Sequence, residues 1–480
     1  MRIGEHPILT FEKGKEITFY FNGIEMKGYE GESIASALLA NGVKIFSHSI
    51  KYNHPRGFFC GIGKCSSCLM TVNGIPNIRT CITPLQEGMI VESDAHELPE
   101  GMPYKKPSKQ TIEADIAIVG GGPAGMAAAI EAGKDADIIL IDEQTRLGGQ
   151  LVKQTHKFFG SSMEGAGKRG IEIAKEMENE ASNVARILLK TSVIGYYNRG
   201  YHFLAAVNKL DGILYEIKAK KIIFATGAQE NMLVFEGNDL PGVYGAGGVQ
   251  TIMNVYGVKP GNAGVIVGAG NVGLILAYQL LQAGVEVKAI VEAMPKIGGY
   301  LVHAAKVRRN GVPIYTRHSI KEAYGNESVE GARIAKLDEK WNFIDGTDKD
   351  IECDFIAIAV GLTPSTKLVQ QTGAKIKFIP AAGGWVALHN EFMQTTIDDI
   401  YIAGDSANIE EASTAVIEGK IAGLHALNSL KSIDGYEEKM NAYLKRLEEL
   451  RAGIFGARPK EAKKKIYEGY YEEIGRGRNS

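Results

Sequence analysis

The stretch Ile116-Ala-Ile-Val-Gly-Gly-Gly-Pro-Ala-Gly125 decides the fold of this chain. An apolar run typical of a buried strand leads into Gly120-x-Gly122-x-x-Gly125, and the segment Met126–Ala132 after it is typical of a helix. In such a turn the first glycine permits the tight bend, the second lets the backbone approach a pyrophosphate, and the third packs the helix on the strand. The stretch therefore predicts a Rossmann-type dinucleotide site, with a helix N-terminus facing the phosphates.

A second stretch repeats the same order of features. Val265-Ile-Val-Gly-Ala-Gly-Asn-Val-Gly273 contains a strand-like run and the same glycine spacing, at Gly268, Gly270 and Gly273. In both copies an acid ends the next apolar strand and a Gly-Gly pair follows the acid. The matched order predicts two copies of one dinucleotide-binding domain type.

The acids are the expected acceptors for a ribose hydroxyl. In the first copy Asp142 and Glu143 both stand at the strand end, and the Gly-Gly spacing shared with the second copy favours Asp142 without excluding Glu143. In the second copy Glu292 favours a free 2′-hydroxyl and repels a 2′-phosphate, which predicts NAD(H) over NADP. Another adenine nucleotide, or a scaffold role, stays open for this site. Gly361 closes the inserted domain.

Further motifs point to a flavin in the first copy: Gly148-Gly149-Gln150, Ala225-Thr226-Gly227 and Tyr401-Ile-Ala-Gly-Asp405. This combination resembles the two-dinucleotide-domain flavoproteins of the glutathione reductase type, in which the late Gly-Asp carboxylate reaches the ribityl or phosphate region of the flavin. The alternatives are an NAD site or a domain that binds nothing. The resemblance implies FAD contacts from Gly120, Gly122, Gly125, Asp142, Glu143, Gly149, Gln150, Thr226, Gly227, Gly404 and Asp405.

Four of the five cysteines form a tight group, Cys60, Cys65, Cys68 and Cys81, with the spacing C-x4-C-x2-C-x12-C. Four thiolates bind an iron–sulfur cluster, and this spacing favours [2Fe-2S] over the two C-x2-C pairs of a structural zinc site, which remains the alternative. The stretch resembles β-grasp [2Fe-2S] ferredoxin-like domains. Cys353 has no second thiol nearby, which argues against disulfide reduction.

The predicted fold class is α/β, with two Rossmann-like dinucleotide-binding domains of the glutathione reductase type preceded by a small β-grasp (α+β) ferredoxin-like domain. The turns Asn22-Gly23 and Asn73-Gly74 predict hairpins over 17–30 and 69–80, and Ser33 is the expected cap of a helix. The predicted domains are 1–105 for the [2Fe-2S] cluster, 112–242 with 351–430 for FAD, 243–350 for NAD(H), and a charged helical tail over 431–480. Charge alternation predicts that the tail is solvated or contacts a partner.

Composition excludes some classes of function. Of 480 residues, 54 are Lys or Arg and 56 are Asp or Glu, so the net charge of −2 argues against nucleic-acid binding. The N-terminus lacks the pattern of a signal peptide, and the apolar stretch from Val265 to Val285 is interrupted by glycine, asparagine and glutamine. We therefore expect a soluble cytoplasmic protein without a membrane span.

The chain up to about residue 430 resembles the alpha subunits of multi-subunit amine and amino-acid dehydrogenases or oxidases. These include sarcosine oxidase, dye-linked L-proline and hydroxyproline dehydrogenases, opine oxidase and hydrogen cyanide synthase. Three stretches carry the likeness, beginning at Ser49, Asp142 and Leu240, the last being Leu240-Pro-Gly-Val-Tyr-Gly-Ala-Gly-Gly-Val-Gln250. The C-terminal half of the sarcosine oxidase alpha chain, which is related to folate enzymes, has no counterpart here, so folate chemistry is not expected.

The resemblance implies a hetero-oligomer with a smaller beta subunit that carries its own FAD and the amine pocket, with an FMN between subunits in some relatives. A ferredoxin-like protein, a quinone or a dye is the expected acceptor. The predicted function is electron relay between that partner, FAD, the cluster and the acceptor, with no catalytic side chain named. The alternatives are a stand-alone NADH:acceptor (diaphorase-like) reductase and a non-catalytic redox-sensing or scaffold subunit.

Overall fold

The computed structural model describes residues 1–94, 97, 101, 106–158 and 165–477. The chain divides into two compact units. One consists of Met1–Pro103 with Glu230–Gly361, and the other of Tyr104–Gln229 with Leu362–Ser480. The predicted boundary near residue 105 lies outside the described residues, and the predicted four-part division of the chain stays a prediction.

The N-terminal region forms a five-stranded sheet in the order β2-β1-β7-β5-β6. Both predicted hairpins are confirmed, and each Asn-Gly turn has positive φ at both residues, as a two-residue turn between twisted strands requires. The Ser33 hydroxyl accepts the Ser36 N–H at 3.1 Å and caps the first helix, as predicted. The elements are β1 Glu16–Phe21, β2 Ile24–Tyr29, α1 Ile34–Ala40, β3 Ser47–His48, β4 Pro55–Arg56, β5 Leu69–Val72, β6 Ile75–Arg79 and β7 Ile90–Glu92.

The next region confirms the strand, turn, helix and strand predicted around Gly120. Its sheet has the order β10-β9-β8-β13-β12-β11; β10, β9, β8 and β13 are parallel, and β11 and β12 are antiparallel additions. The inner strands are buried on both faces, which explains their continuous apolar runs. The elements are β8 Ser108–Val119, α2 Pro123–Ala132, β9 Ile138–Ile141, α3 Gly170–Ser182, β10 Arg186–Leu188, β11 Ser192–Asn198, β12 His202–Asn208, β13 Ile213–Phe224 and β14 Ala228–Glu230.

The region from 230 to 361 contains the second copy, a parallel sheet in the order β15-β22-β16-β17-β18. The long apolar stretch at 265–285 forms the end of a strand followed by a helix, and no described helix is long and apolar enough to cross a membrane. The elements are β15 Val243–Gly245, α4 Ala246–Gln250, β16 Ala263–Val267, α5 Asn271–Gln282, β17 Glu286–Glu292, α6 Leu301–Arg309, β18 Ile314–Thr316, β19 His318–Tyr324, β20 Gly331–Lys336, β21 Lys349–Glu352 and β22 Phe355–Ile358.

The last region completes the first copy, because β26 lies beside β13 in its parallel sheet. A long helix, α8, follows this strand, and two more helices form the tail. The elements are β23 Leu362–Pro364, α7 Lys367–Gln371, β24 Ile376–Ile379, β25 Gly384–Ala387, β26 Ile400–Ile402, α8 Ala412–Leu430, α9 Tyr436–Leu450 and α10 Ala457–Gly477.

The tail is helical as predicted, but the expectation that it is solvated or contacts a partner is wrong for one face of each helix, which packs within this chain. Met440 and Leu447 of α9 belong to the core of the first copy. Ala462 and Ile466 of α10 pack with apolar side chains of β24 and β25. The charged residues that dominate the sequence of these helices occupy mainly the opposite faces. The periodicity of a few apolar residues was therefore more informative than the charge alternation.

Candidate functional site

The four clustered cysteines come together at one loop. Cys60, Cys65 and Cys68 lie between β4 and β5, and Cys81 follows β6 by two residues. The antiparallel pairing of β5 with β6 returns Cys81 to the loop, and the Thr80 N–H donates to the Cys68 carbonyl at 3.1 Å. The Cys60 sulfur contacts those of Cys65 and Cys81, and the Cys68 sulfur contacts that of Cys81. The second predicted hairpin thus brings the fourth cysteine back to the other three.

The loop supplies donors to these sulfurs. Backbone N–H groups of Ile62 and Cys65 are directed at Cys60, and that of Cys81 is directed at Cys68. The hydrogen bond from the Cys65 thiol, followed by that from Cys81, holds the pKa of Cys60 far below its usual value. Positive φ at Gly61 (66°) brings the backbone around the sulfurs. This set of donors fits the negative charge that a thiolate-bound iron–sulfur cluster carries.

The cysteine sulfur atoms contact one another in pairs and do not surround a site for a single metal ion. Within residues 1–94, 97, 101, 106–158 and 165–477, no group of three or more His, Cys, Asp or Glu side chains is arranged to hold a single metal ion. A [2Fe-2S] cluster is larger than one ion and is bound through four cysteine sulfurs. Cys60, Cys68 and Cys81 are buried and Cys65 is half-buried, so one edge of the site is partly open to solvent.

The glycine-rich segment Leu240–Gln250 lies directly against the cysteine loop. The Gly245 N–H donates to the Phe59 carbonyl at 3.1 Å, and a Cβ at Gly248 would overlap the same carbonyl oxygen. The Glu230 carboxylate accepts the Gly247 N–H at 2.6 Å and the Gly248 N–H at 3.3 Å. Glycine at these positions therefore allows α4 to approach the backbone next to Cys60. In the sequence, the segment Leu240–Gln250 indicated only a resemblance to the alpha-subunit family. Its contact with the cysteine loop was not predicted.

The first glycine turn has the predicted geometry. Gly120 has φ of +111°, and a Cβ there would overlap the Ala225 carbonyl oxygen. A Cβ at Gly125 would overlap the Gly120 carbonyl oxygen, so the third glycine sets the approach of α2 to the turn. Gly122 is the N-cap of α2, and a Cβ there would meet nothing closer than Gly149 Cα at 3.9 Å. The N-terminus of α2 is thus open to a phosphate.

Two acids stand at the end of β9, and they have different partners. Asp142 Oδ2 accepts the Gly121 N–H at 2.6 Å, and its Oδ1 accepts the Gln144 N–H at 2.7 Å. Glu143 is half-buried, and its carboxylate receives a long bond of 3.4 Å from the Ser192 hydroxyl. Asp142 therefore holds the turn itself. The choice of the ribose acceptor between Asp142 and Glu143 stays open.

The other residues predicted to contact FAD lie in the same unit. Gly149 has φ of +51°, and a Cβ there would come within 2.8 Å of Gly122 Cα; Gln150 beside it is exposed. The Thr226 hydroxyl donates to the Ser365 carbonyl at 2.8 Å, and the Gly227 carbonyl accepts the Ser365 N–H at 2.9 Å. These contacts join the end of β13 to the residue after β23 and shape the backbone at Gly227.

Gly404 and Asp405 follow β26. The Gly404 N–H donates to Glu418 Oε2 at 3.0 Å, and Asp405 Oδ1 accepts the Glu410 N–H at 3.3 Å. Desolvation raises the pKa of the Asp405 carboxyl to about 7; the Glu410 N–H opposes this shift, and the carboxylates of Glu418 and Glu410 add to it. An acid of this kind next to a ligand site responds strongly to the charges around it.

Two polar atoms support the fit of a polar ligand in this unit. Ser365 Oγ and Asn408 Oδ1 are buried without a hydrogen-bond partner. Ser365 contacts the Thr226-Gly227 segment, and Asn408 lies three residues after Asp405. Buried polar atoms in native proteins almost always have a partner, and a bound cofactor with hydroxyl and phosphate groups can supply one. The residues present therefore fit FAD.

The second glycine turn nearly duplicates the first. Gly268 has φ of +109°, and a Cβ at Gly273 would overlap the Gly268 carbonyl oxygen. Gly270 caps α5, and a Cβ there would meet no atom within 4 Å. Glu292 Oε2 accepts the Ala269 N–H at 2.7 Å, and its Oε1 accepts the Met294 N–H at 2.8 Å. The turn fits a nucleotide, with Glu292 in the position that Asp142 has in the first copy.

Two further residues singled out in the sequence, Gly361 and Cys353, lie outside the glycine turns and the cysteine loop. Gly361 is exposed with φ of +110°, and its carbonyl accepts the Asn231 N–H at 3.0 Å. Cys353 is buried between β21 and β22, where desolvation raises the pKa of its thiol to about 12. A thiol with such a pKa is a poor nucleophile, in line with the expectation that Cys353 takes no part in disulfide reduction.

Sequence reasoning missed four charged residues behind Gly404 and Asp405. Glu410, Glu418, Arg451 and Lys463 form buried ion pairs, two of them from the tail that was predicted to be solvated. No local pattern distinguishes a buried lysine from an exposed one. The only available signal was that Lys463 falls between Ala462 and Ile466 on the apolar side of α10.

Comparison with known proteins now identifies the family. Residues 114–419 match the family described as pyridine nucleotide-disulphide oxidoreductase, and residues 14–96 match a 2Fe-2S iron-sulfur cluster binding domain. The chain belongs to the pyridine nucleotide-disulphide oxidoreductase family. It is a flavin-dependent oxidoreductase with FAD and [2Fe-2S] cofactors and nucleotide-binding domains of the FAD/NAD type. The predicted fold class is confirmed.

Several members and structures are similar to this chain. The alpha subunit of sarcosine oxidase from Rhizobium meliloti is 28% identical over 433 residues, covering 76% of this chain and 41% of that relative. The HcnB subunit of hydrogen cyanide synthase from Pseudomonas aeruginosa is 29% identical, covering 70% and 77%. The crystal structure of L-proline dehydrogenase from P. horikoshii has a TM-score of 0.70 and 27% identity, covering 91% of this chain and 79% of that one. The predicted resemblance to this group of proteins is confirmed.

The match to sarcosine oxidase spans less than half the length of that relative. A thioredoxin reductase from T. acidophilum shares the fold of 66% of this chain, with a TM-score of 0.54 and 24% identity.

Proposed function

We propose that this chain is the electron-transferring alpha subunit of a multi-subunit amino-acid or amine dehydrogenase, whose substrate resembles proline, hydroxyproline or sarcosine. Electrons pass between a partner flavoprotein, the FAD of this chain, its [2Fe-2S] cluster and an acceptor. One observation carries the proposal: the chain combines an FAD-type site with a four-cysteine site and has no pair of thiols left for disulfide reduction, since Cys353 is alone.

The residues divide this work. FAD accepts two electrons as a hydride and releases them singly, and a [2Fe-2S] cluster carries one electron at a time. The first glycine turn and the Gly404-Asp405 turn hold and orient the flavin, and the cysteine loop binds the cluster through its four sulfurs. The partial exposure of Cys65 gives one edge of that loop access to an acceptor. We name no catalytic side chain, because orientation and electrostatics are sufficient for electron relay.

The relatives support the division of labour between subunits. The similar chains of sarcosine oxidase, hydrogen cyanide synthase and opine oxidase are all subunits by name. The proposal therefore includes a beta subunit that oxidises the amine with its own FAD, and a ferredoxin-like, quinone or dye acceptor.

A second candidate function is NADH:acceptor oxidoreduction by this chain alone. The intact second turn favours it, because Glu292 accepts two backbone N–H groups and the N-cap Gly270 has no atom within 4 Å of its Cβ position. NAD(H) or another adenine nucleotide at this turn is part of either candidate.

The test is to purify the chain from its native source with whatever binds it, and to compare the complex with the isolated chain. We expect proline, hydroxyproline or sarcosine to reduce a dye acceptor only in the complex. Full activity of the isolated chain with one of these substrates would contradict the proposal, and rapid bleaching of its flavin by NADH without a partner would favour the second candidate.

A pair of variants tests the relay within the complex. Cys65→Ser should remove the iron–sulfur signal and leave FAD bound, so that flavin reduction by substrate continues while transfer to the acceptor stops. Cys353→Ala is the matched control and should keep both signals. Undiminished transfer to the acceptor without the cluster would contradict the relay.

A further inference from the structure

A buried charge cluster joins the tail to the unit that binds FAD. We use this term for Glu410, Glu418, Arg451 and Lys463, whose side chains are each at most 9% exposed. Arg451 donates to both oxygens of Glu410 at 2.8 Å and to Glu418 Oε1 at 2.6 Å. Lys463 Nζ lies 2.6 Å from the same Glu418 oxygen and 3.2 Å from His389 Nε2. Two carboxylates are thus balanced by two cations from the tail.

Two hydrogen bonds connect the buried charge cluster to the Gly404-Asp405 turn. Glu418 uses its second oxygen, Oε2, to accept the Gly404 N–H at 3.0 Å. The backbone of Glu410, whose side chain is bound by Arg451, donates its N–H to Asp405 Oδ1 at 3.3 Å. Arg451 and Lys463 therefore act on both residues of the turn through one intermediate residue.

The turn in question lies against the first helix of the FAD domain. A Cβ at Gly404 would come within 2.9 Å of Ala124 Cβ, in the first turn of α2, so a small displacement of Gly404 also displaces the helix N-terminus. The tail helix α9 contacts α2 independently, because Tyr443 Oη donates to Glu131 Oε2 at 2.8 Å. The tail thus contacts the phosphate-binding helix directly and also through the turn.

We propose that the tail helices are part of the FAD site, with Arg451 and Lys463 as positioning residues that hold the Gly404-Asp405 turn through Glu418 and Glu410 and thereby set how tightly FAD is retained. The inference requires the FAD site but neither the amine substrate nor the partner subunit. Failure of one proposal is therefore distinguishable from failure of the other.

The physical reason is that Glu410 and Glu418 are two buried carboxylates, and without Lys463 only Arg451 remains to balance them. Removing one partner of a buried ion pair leaves an uncompensated charge, which draws in water or forces the side chain to move. Either response releases the Gly404 N–H.

The first experiment compares Lys463→Met with Lys464→Met in the full chain. The neighbouring Lys464 is 76% exposed and is the matched control. FAD is removed, then titrated back while flavin fluorescence is followed, and the iron–sulfur signal of the other unit serves as an internal check on folding. We expect FAD binding to weaken about tenfold in Lys463→Met, the effect of losing one well-placed hydrogen bond in the site, and to stay unchanged in Lys464→Met. Unchanged FAD binding by a folded Lys463→Met protein would overturn the proposal.

Two double variants separate positioning from general stability. Both remove the same pair of opposite charges, but Glu418→Gln/Lys463→Met keeps an oxygen for the Gly404 N–H and Glu418→Leu/Lys463→Met does not. We expect the Gln form to recover FAD binding to within about twofold of the original chain and the Leu form to remain about tenfold weaker. A role in stability alone predicts that both forms bind FAD equally, and that result would overturn the proposal even if Lys463→Met does not fold.

Discussion

The two glycine turns of this chain are nearly identical in geometry and differ in what covers them. Their first glycines have φ of +111° and +109°, and the acid at the end of the next strand accepts the N–H of the second turn residue at 2.6 Å in one and 2.7 Å in the other. In both, the same acid also accepts the N–H two residues further on. The backbone of the turn therefore does not distinguish the two sites.

The surroundings do distinguish them. Ala124, in the first turn of α2, is buried, and a Cβ at Gly419 of α8 would overlap its carbonyl oxygen. Its counterpart Val272 in α5 is 43% exposed. In the first copy α8 therefore packs against the first turn of the helix that is predicted to face the phosphates, while the first turn of the second helix is exposed at Val272.

We infer that the geometry of the turn determines which class of ligand binds, and that the packing around the following helix determines how long the ligand stays bound. A helix end that is held by packed neighbours moves only through local opening, whereas an unpacked helix end moves more freely. We expect FAD to remain in the first site as a resident cofactor and a nucleotide to exchange at the second.

The largest effect should come from adding one methyl group to each turn. Gly122→Ala and Gly270→Ala place a Cβ where the protein itself leaves space, at backbone angles that alanine adopts readily, so the unfolding free energy should change by less than about 1 kcal/mol. We expect Gly122→Ala to lower FAD affinity more than about a hundredfold, because the methyl group meets the pyrophosphate. Gly270→Ala should do the same to nucleotide binding at the second site. Loss of FAD in Gly270→Ala would mean that the two sites are not separate.

The second largest effect should be a pH dependence of the unfolding free energy that arises from Asp405 at the first site. The pKa of Asp405 is raised from 3.8 to about 7 in the folded chain, so its contribution to stability is fully present below about pH 4 and is lost as pH rises through 7. In thermal unfolding of the FAD-free chain, Asp405→Asn should flatten the dependence between pH 4 and 7, and a slope equal to that of the original chain would contradict this assignment.

A third pair of substitutions exchanges the residues at positions 124 and 272, which differ in how far they are buried. Ala124→Val forces two methyl groups against Gly404 and α8, and should destabilise the first unit by about 1–3 kcal/mol and increase FAD loss on dilution. The reverse change, Val272→Ala, removes exposed atoms and should shift stability by less than about 0.5 kcal/mol. Urea unfolding measures both, followed by flavin fluorescence for Ala124→Val and by iron–sulfur absorption for Val272→Ala, which lies in the same unit as the cysteine loop. Equal losses of unfolding free energy in the two variants would contradict the difference in packing between the two sites.

The smallest effect concerns nucleotide choice at the second site. Glu292→Gln removes the charge that repels a 2′-phosphate while keeping an oxygen for the Ala269 N–H. The preference for NADH over NADPH should fall by roughly tenfold, about 1.4 kcal/mol, in equilibrium titrations. Glu286→Gln, at the exposed start of the same strand, is the control and should leave the preference unchanged.

Local sequence predicted those parts of the fold that depend on local geometry. Both Asn-Gly hairpins formed because positive φ at two consecutive residues leaves the chain few other choices. The glycine turns were predictable for a different local reason, since a Cβ at Gly125 or Gly273 is sterically excluded. The return of Cys81 to the cysteine loop followed from the length of the second hairpin.

The features that sequence reasoning missed all depend on contacts between distant segments. Nothing near Lys463 indicates that Glu418 lies 2.6 Å away, and a helix rich in Lys and Glu is typically exposed. Likewise, the role of Asp142 in holding Gly121 depends on the spacing of two strands, and a single strand does not reveal it. Sequence patterns specified which residues turn or pair locally, and tertiary packing determined which charges were buried.

The contact between Gly248 and the Phe59 carbonyl has a consequence for the order of events during synthesis. The cysteine loop is translated long before the glycine-rich segment that lies against it, and chains fold from the N-terminus as they emerge. Until that segment leaves the ribosome, the backbone next to Cys60 lacks its packing partner and is open to solvent. We therefore expect the thiols to be more accessible before the second half of this unit has folded against the loop than afterwards.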